Sequence, residues 1–320
     1  MPVPNAIAFA TATTGCVSGG DRINCTMDGG RSWSTRYRHT DVVQFAFVTP
    51  AVGWAVAPSL LLATANGGRT WRRRAVVPGL QAVDFVNTRD GWAITTHGLL
   101  VTHSSGVRWV FDRVPVSPRA VSFVDGHAGW VLGHNGAIVR TTNGGRSWRY
   151  EWTPPIGSTW DSGQAQLTFT NATTGWLLLT LGAGCTGKEP AILYHTDDSG
   201  QHWQAPLTGA ECNGPRYPTG AVAGTGGYPY GLSARGRQAW VVSDSPAAGR
   251  GSIDVAVTHD DGRTWAYTYP ATTDAGTATA AIDFVDARRG WVVTGGEFRY
   301  PSGRVFHTTD EGRNWTVQLT

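Results

Sequence analysis

Apolar residues in this chain come in short runs, each closed by a polar or glycine-rich turn. The runs have the length and spacing of strands rather than helices. Residues 79–115 show the unit plainly: strands are expected at 83–86, 92–95, 99–102 and 108–114, lettered A to D below. No apolar run approaches the roughly 18 residues that cross a bilayer as a helix, so no membrane span is expected.

That unit recurs along all 320 residues. Seven octets align on tryptophan, at 26–33 (TMDGGRSW), 64–71 (TANGGRTW), 102–109 (THSSGVRW), 141–148 (TTNGGRSW), 196–203 (TDDSGQHW), 258–265 (THDDGRTW) and 308–315 (TTDEGRNW). The third is degraded, with Ser104 for Asp or Asn and Arg108 for Ser or Thr. Upstream of the octets, an apolar stretch, a polar turn and a Gly-Trp pair recur. Copies read FAFVTPAVGWAV from Phe45, DFVNTRDGWAI from Asp84, SFVDGHAGWVL from Ser122, TFTNATTGWLL from Thr168 and DFVDARRGWVV from Asp283. The first unit has Gly15-Cys16 at this place and the sixth Ala239-Trp240.

A sheet of four short strands cannot bury both faces alone, whereas copies stacked radially can. Seven octets therefore predict an all-β, seven-bladed β-propeller, with four antiparallel strands per blade and the octet in each C–D hairpin. One domain is expected over 1–320, with blades near 5–40, 41–78, 79–115, 116–153, 154–207, 208–269 and 270–320. Strand A starts near Asn5 and the last strand D ends at Thr320, so blade 1 should meet blade 7 by face packing, without strand exchange. In the octet, Asp or Asn can accept backbone N–H bonds, Gly supplies positive φ, and Trp buries a large ring between sheets. Thirteen of the fifteen tryptophans occupy the two motif positions and read as packing residues.

The net charge of +3 is spread along the chain and leaves no nucleic-acid footprint. No HExxH, P-loop, GxSxG, dinucleotide fingerprint, CxxC or His-rich spacing occurs, so neither cofactor nor metal is expected. His103 and His259 fall at the variable second position of the octet and read as solvated turn residues.

The octets resemble the Asp-box, or bacterial neuraminidase, repeat S/T-x-D/N-x-G-x-S/T-W. Together with the upstream Phe and Gly-Trp motif, nearly the whole chain is similar to the photosystem II stability and assembly factor family. That resemblance implies a seven-bladed propeller that binds an assembly intermediate and does not catalyse. Sialidases share the Asp-box but use an arginine triad, an Asp acid/base and a Tyr–Glu pair. Here no FRIP-like segment is found, and none of the A strands is expected to carry an arginine.

The four cysteines form two groups. A hairpin centred on Gly20-Asp21 would pair 19 with 22, 18 with 23, 17 with 24 and 16 with 25. Cys16 and Cys25 then face each other at a non-hydrogen-bonded site, where Cα atoms lie roughly 4.5 Å apart, within disulfide reach. Cys185 and Cys212 fall in connections on the same face and are expected to form a second bond. Two disulfides favour an oxidising compartment, so an extracellular or cell-envelope location is expected, with any leader outside this chain.

Antiparallel order puts A–B and C–D turns on one rim and B–C and D–A connections on the other. Successive octet tryptophans lie 38, 38, 39, 55, 62 and 50 residues apart, so the later blades carry insertions. These fall at 153–165, 181–190, 206–227, 244–251, 270–280 and 295–302, all on the B–C/D–A rim. Long loops on a rigid scaffold are a usual place for function, and in the propellers this chain resembles that rim tends to carry the ligand site. Trp152, Trp160, Arg216, Tyr217, Arg250, Arg299 and Tyr300 are its candidate ligand-binding residues, since aromatics beside arginines suit a sugar or peptide. Asp161, Glu189, Asp244 and Glu297 are the candidate acids should two carboxylates straddle a glycosidic bond. The expected function is non-enzymatic binding of a protein or glycan through the rim of blades 4–7, by a monomer. The alternative is a carbohydrate-active enzyme, a glycosidase or polysaccharide lyase, on the same rim.

Overall fold

The computed structural model describes residues 4–155, 164–180, 191–208, 222–223, 229–245, 252–271, 280–294 and 303–319. Blade 1 comprises β1 (Pro4–Phe9), β2 (Gly15–Gly19), β3 (Arg22–Thr26) and β4 (Ser34–Arg38), and blade 2 comprises β5 (Gln44–Phe47), β6 (Gly53–Ala57), β7 (Leu60–Thr64) and β8 (Arg72–Val76). Blade 3 is β9 (Leu80–Phe85), β10 (Gly91–Thr95), β11 (Gly98–Thr102) and β12 (Val110–Asp112), and blade 4 is β13 (Pro118–Phe123), β14 (Gly129–Gly133), β15 (Ile138–Thr141) and β16 (Arg149–Trp152). Blade 5 is β17 (Ala165–Phe169), β18 (Gly175–Thr180), β19 (Ala191–Thr196) and β20 (Gln204–Thr208), with a short β21 (Val222–Ala223) added. Blade 6 is β22 (Pro229–Arg235), β23 (Gln238–Ser245), β24 (Ser252–Thr258) and β25 (Ala266–Ala271), and blade 7 is β26 (Ala280–Phe284), β27 (Gly290–Thr294), β28 (Arg304–Thr308) and β29 (Thr316–Leu319).

The fold is the all-β, seven-bladed class expected from the repeat, with four consecutive antiparallel strands per blade. Three details differ from the sequence reading. In blade 3, β9 starts earlier than expected, because buried Leu80 still pairs with Thr95 across a bulge. Strand β12 starts later, because Arg108 and Trp109 are held in the octet turn by bonds to Ser104 Oγ and the Gly106 carbonyl. Blade 5 gains β21, which pairs parallel to the outer edge of β20 from within a segment read as pure connection. A further correction concerns the A strands: β13 carries Arg119 and β22 carries Arg235, where no A-strand arginine was expected. Strand β13 begins upstream of the apolar stretch read from Ser122, and Arg235 is the last residue of β22, next to its A–B turn.

The chain forms two compact units, 1–113 with 274–320 and 114–273. The first holds blades 7, 1, 2 and 3; the second holds blades 4, 5 and 6. The same aromatic joint recurs at three seams within the units, between blades 2 and 3, 4 and 5, and 7 and 1. Gly91 has no room for a side chain, since a Cβ there would lie 2.4 Å from the Phe85 ring of its own blade. That ring is stacked by Trp54 of the preceding blade, with centroids 3.6 Å apart and planes within 1°. The indole Nε1 of Trp54 then donates to the Ser105 carbonyl in the blade 3 octet, at 3.1 Å. In the second unit Trp130 stacks on Phe169 at 3.6 Å and donates to the Ser199 carbonyl at 2.8 Å. Blades 7 and 1 meet the same way, Trp291 on Phe9 at 3.5 Å, with Phe9 N donating to Asp283 Oδ2 at 2.6 Å. Among the described residues their sheets exchange no strand. Each stack contributes about 0.5–1.5 kcal/mol beyond the area it buries.

The octets are hydrogen-bonded turns. In blade 1 the buried Thr26 hydroxyl accepts from Gly30 N at 2.8 Å and donates to Asp28 Oδ1 at 2.7 Å. Asp28 in turn accepts from Ser32 N at 2.9 Å and from the Ser32 hydroxyl at 2.6 Å. The fourth octet position is left-handed in every copy, even where it is Ser105, Ser199, Asp261 or Glu311.

Candidate functional site

Most of the residues singled out on the late-blade rim lie outside the described residues. These are Trp160, Asp161, Cys185, Glu189, Cys212, Arg216, Tyr217, Arg250, Glu297, Arg299 and Tyr300; Asp244 lies in β23, but its side chain is not described. Trp152 is described. It ends β16, half-buried, with its ring edge-on to Tyr194 at 5.0 Å and stacked on Trp203 at 5.5 Å. The ring thus packs against the core between blades 4 and 5. Its neighbour Glu151 is nearly buried and is held by Arg149 at 2.8 Å and Arg140 at 4.0 Å.

The Cys16–Cys25 disulfide is formed, at the register read from the hairpin. Gly20 and Asp21 both have positive φ, 51° and 64°, as a two-residue turn matched to the strand twist requires. The Cα atoms lie 4.1 Å apart.

A groove of about 630 Å³ lies in the first unit, between blades 2 and 3, on the rim of the A–B and C–D turns. Sequence reasoning placed the candidate ligand site on the opposite rim. One wall is the blade 2 octet, through Thr64, Asn66 and Thr70; the opposite side brings Thr88 and Ser105 of blade 3. Arg72, Arg73 and Arg74 of the outer strand β8 complete it, all exposed. Their arrangement follows from a bulge: Leu61 pairs with Ala75 and Leu62 with Arg73, so Arg74 is the extra residue. Arg74 is the structural member of the three, its Nε donating to the Ser105 carbonyl at 2.9 Å. The octet wall is internally satisfied, with Asn66 Nδ2 donating to Thr70 Oγ1 and Asn66 Oδ1 accepting from Thr70 N, both at 2.9 Å. No lining residue is acidic. The groove therefore presents guanidinium groups and hydroxyls, beside the open edge of a sheet, to a ligand of negative charge. The run Arg72-Arg73-Arg74 was the available signal, and three consecutive bases in a strand read most simply as a solvated face.

Among the described residues, no group of three or more His, Cys, Asp and Glu is placed to hold a metal ion. No helix among them is long and apolar enough to cross a membrane. His195 is a buried titratable group between blades 5 and 6. Burial pushes it below the ordinary histidine value, against the pull of Asp261, 3.7 Å away.

No curated protein matches the chain in sequence. Among solved structures, "YCF48 bound to D1 peptide" is similar with TM-score 0.60 and 16% identity, over 97% of this chain and 93% of that one. U3-55K is similar with TM-score 0.62 and 11% identity, over 93% and 90%. Kluyveromyces lactis Hsv2 gives TM-score 0.55 and 9% identity, over 100% and 98%. Identities this low speak for the fold alone. Sequence family is a separate matter: residues 37–166 and 108–217 match the family described as Photosynthesis system II assembly factor YCF48. With its Gly-Trp seams and octets in seven blades, the chain belongs to the YCF48 family.

Proposed function

We propose that this protein is a non-enzymatic binding propeller of the assembly-factor type, which holds a protein partner by an acidic, extended segment in the groove between blades 2 and 3. The observation that carries this reading is the groove itself, with three arginines and no carboxylate in its lining. Membership of the YCF48 family supports a protein partner, as does the relative whose structure holds a D1 peptide. Arg72 and Arg73 supply the charge; Arg74 holds the wall.

The test is fluorescence anisotropy with a labelled oligo-glutamate peptide and an oligo-lysine control. Arg72→Glu/Arg73→Glu is expected to weaken oligo-glutamate binding about tenfold or more, as reversal of two exposed charges facing an anion would. Equal affinity for oligo-lysine, or no change in the double variant, would reject the groove as the site.

The finer readings from the sequence stand beside this one as proposals. The insertions in blades 4–7 support a further contact surface for a protein or a glycan, and the disulfide supports work in an oxidising compartment outside the cytoplasm.

A further inference from the structure

We propose that the Cys16–Cys25 disulfide is a redox-sensitive packing piece: it stands in for the missing indole between blades 1 and 2, and it sets the order of the octet loop that walls the basic groove.

The substitution is visible position by position. Cys16 follows Gly15 as Trp54 follows Gly53, and Cys25 sits opposite Cys16 as Ala63 sits opposite Trp54. The octet glycine of the next blade marks where an indole belongs. A Cβ on Gly200 of blade 5 would lie 3.4 Å from Trp130 Nε1 of blade 4. On Gly68, the same octet position in blade 2, it would lie 2.5 Å from Cys16 Sγ and 3.0 Å from Cys25 Sγ. Both cysteines are buried, and both belong to the core shared with Phe45, Leu62 and Trp71 of blade 2.

The octet tryptophan of blade 2 responds to the change. Trp33, Trp109, Trp203 and Trp265 each donate Nε1 to the glycine carbonyl three residues back. Trp71 makes no such bond; it is only 5% exposed, its Nε1 has no partner, and its ring tilts over Phe45 and Phe47. The loop 64–71 thus lacks the indole lock of its siblings and rests on the two sulfurs through Gly68. Asn66 and Thr70, on either side of Gly68, line the groove.

Reduction by a dithiol would deliver two electrons and two protons, break the Sγ–Sγ bond and leave two thiols, the reductant departing as its own disulfide. Unbonded sulfurs stand further apart than bonded ones, and interiors have no slack for them. Gly68 already lies against the sulfurs without a side chain, so the loop must yield. The seam is independent of what the protein binds; only its effect on the groove rests on the binding proposed above.

Hydrogen exchange read by mass spectrometry tests this on the full chain. Four samples are needed: oxidised protein, protein fully reduced by dithiothreitol, Cys16→Ala/Cys25→Ala, and Cys16→Trp/Cys25→Ala, which recreates the Trp54–Ala63 pair. Exchange over residues 64–74 is expected to rise about tenfold or more in the reduced and Ala/Ala samples, with the octet 196–203 unchanged. The Trp/Ala variant is expected to restore the oxidised rate and to ignore dithiothreitol. Unchanged exchange at 64–74 after complete reduction, equal acceleration of both octets, or a Trp/Ala variant no slower than Ala/Ala would each overturn the proposal. Oligo-glutamate binding is read on the same samples. If exchange responds as expected while no sample binds the peptide, the seam stands and the groove's binding role falls.

Discussion

Asp28 and Asp260 show what one octet residue contributes. The Ser32 hydroxyl and backbone N–H, followed by Thr26, hold the Asp28 carboxyl at about 2, against an ordinary value of 3.8. The Thr264 N–H and hydroxyl bring Asp260 to about 2 as well. Both groups bind their proton less tightly folded than unfolded. Their stabilisation is therefore complete above the ordinary carboxylate value and is lost as pH falls through about 2. Asp28→Asn/Asp260→Asn is expected to flatten the loss of stability between pH 4 and pH 2, as followed by urea midpoints across that range. A profile as steep as the wild type's would show that other carboxylates govern the acid limb. These turns were legible because each bond depends on residue types four positions apart at most. The left-handed fourth position was legible only as glycine; Ser105, Ser199, Asp261 and Glu311 adopt the same φ because the surrounding bonds leave the turn no other conformation.

At the scale of the blade, the Gly-Trp motif is one half of a joint whose other half lies a blade away. Gly91→Ala places a Cβ 2.4 Å from the Phe85 ring and must tilt the ring that Trp54 stacks on. A loss of about 1–3 kcal/mol is expected from chemical denaturation, with the slope against denaturant unchanged. If Gly91→Ala were neutral, the glycine would be serving the backbone rather than the ring. The sequence showed that Gly and Trp recur together, but not why, since the glycine answers to a ring on its own strand A and the tryptophan to a ring in the next blade. Trp152 illustrates the converse. Lying outside the repeat, it was read as a candidate ligand residue; the half-buried ring packs on Tyr194 and Trp203, neighbours that only the three-dimensional arrangement supplies. The Arg72–Arg74 groove was hidden for the same reason: the bulge that brings Arg74 to the Ser105 carbonyl leaves no mark in the residue pattern.

For the whole molecule, the disulfide offers a test of the proposed oxidising location. Protein taken from its native cells, unfolded in denaturant and alkylated without reductant, is expected to keep Cys16 and Cys25 unmodified by intact-mass and peptide mapping. Alkylation of both would put the protein in a reducing compartment and remove the case for export. The seams between blades 2 and 3, 4 and 5, and 7 and 1 each set a tryptophan of one blade on a phenylalanine of the next. Blades joined by such a rule are interchangeable parts, and a copy that has both residues carries both halves of the fitting with it. Blade 1 breaks the symmetry: it accepts Trp291 on Phe9 yet gives its successor a pair of sulfurs. Duplicating or shuffling genes for this protein would therefore meet one joint of sulfur where its siblings use an indole, and that joint gives a repetitive chain a fixed point from which its blades are counted.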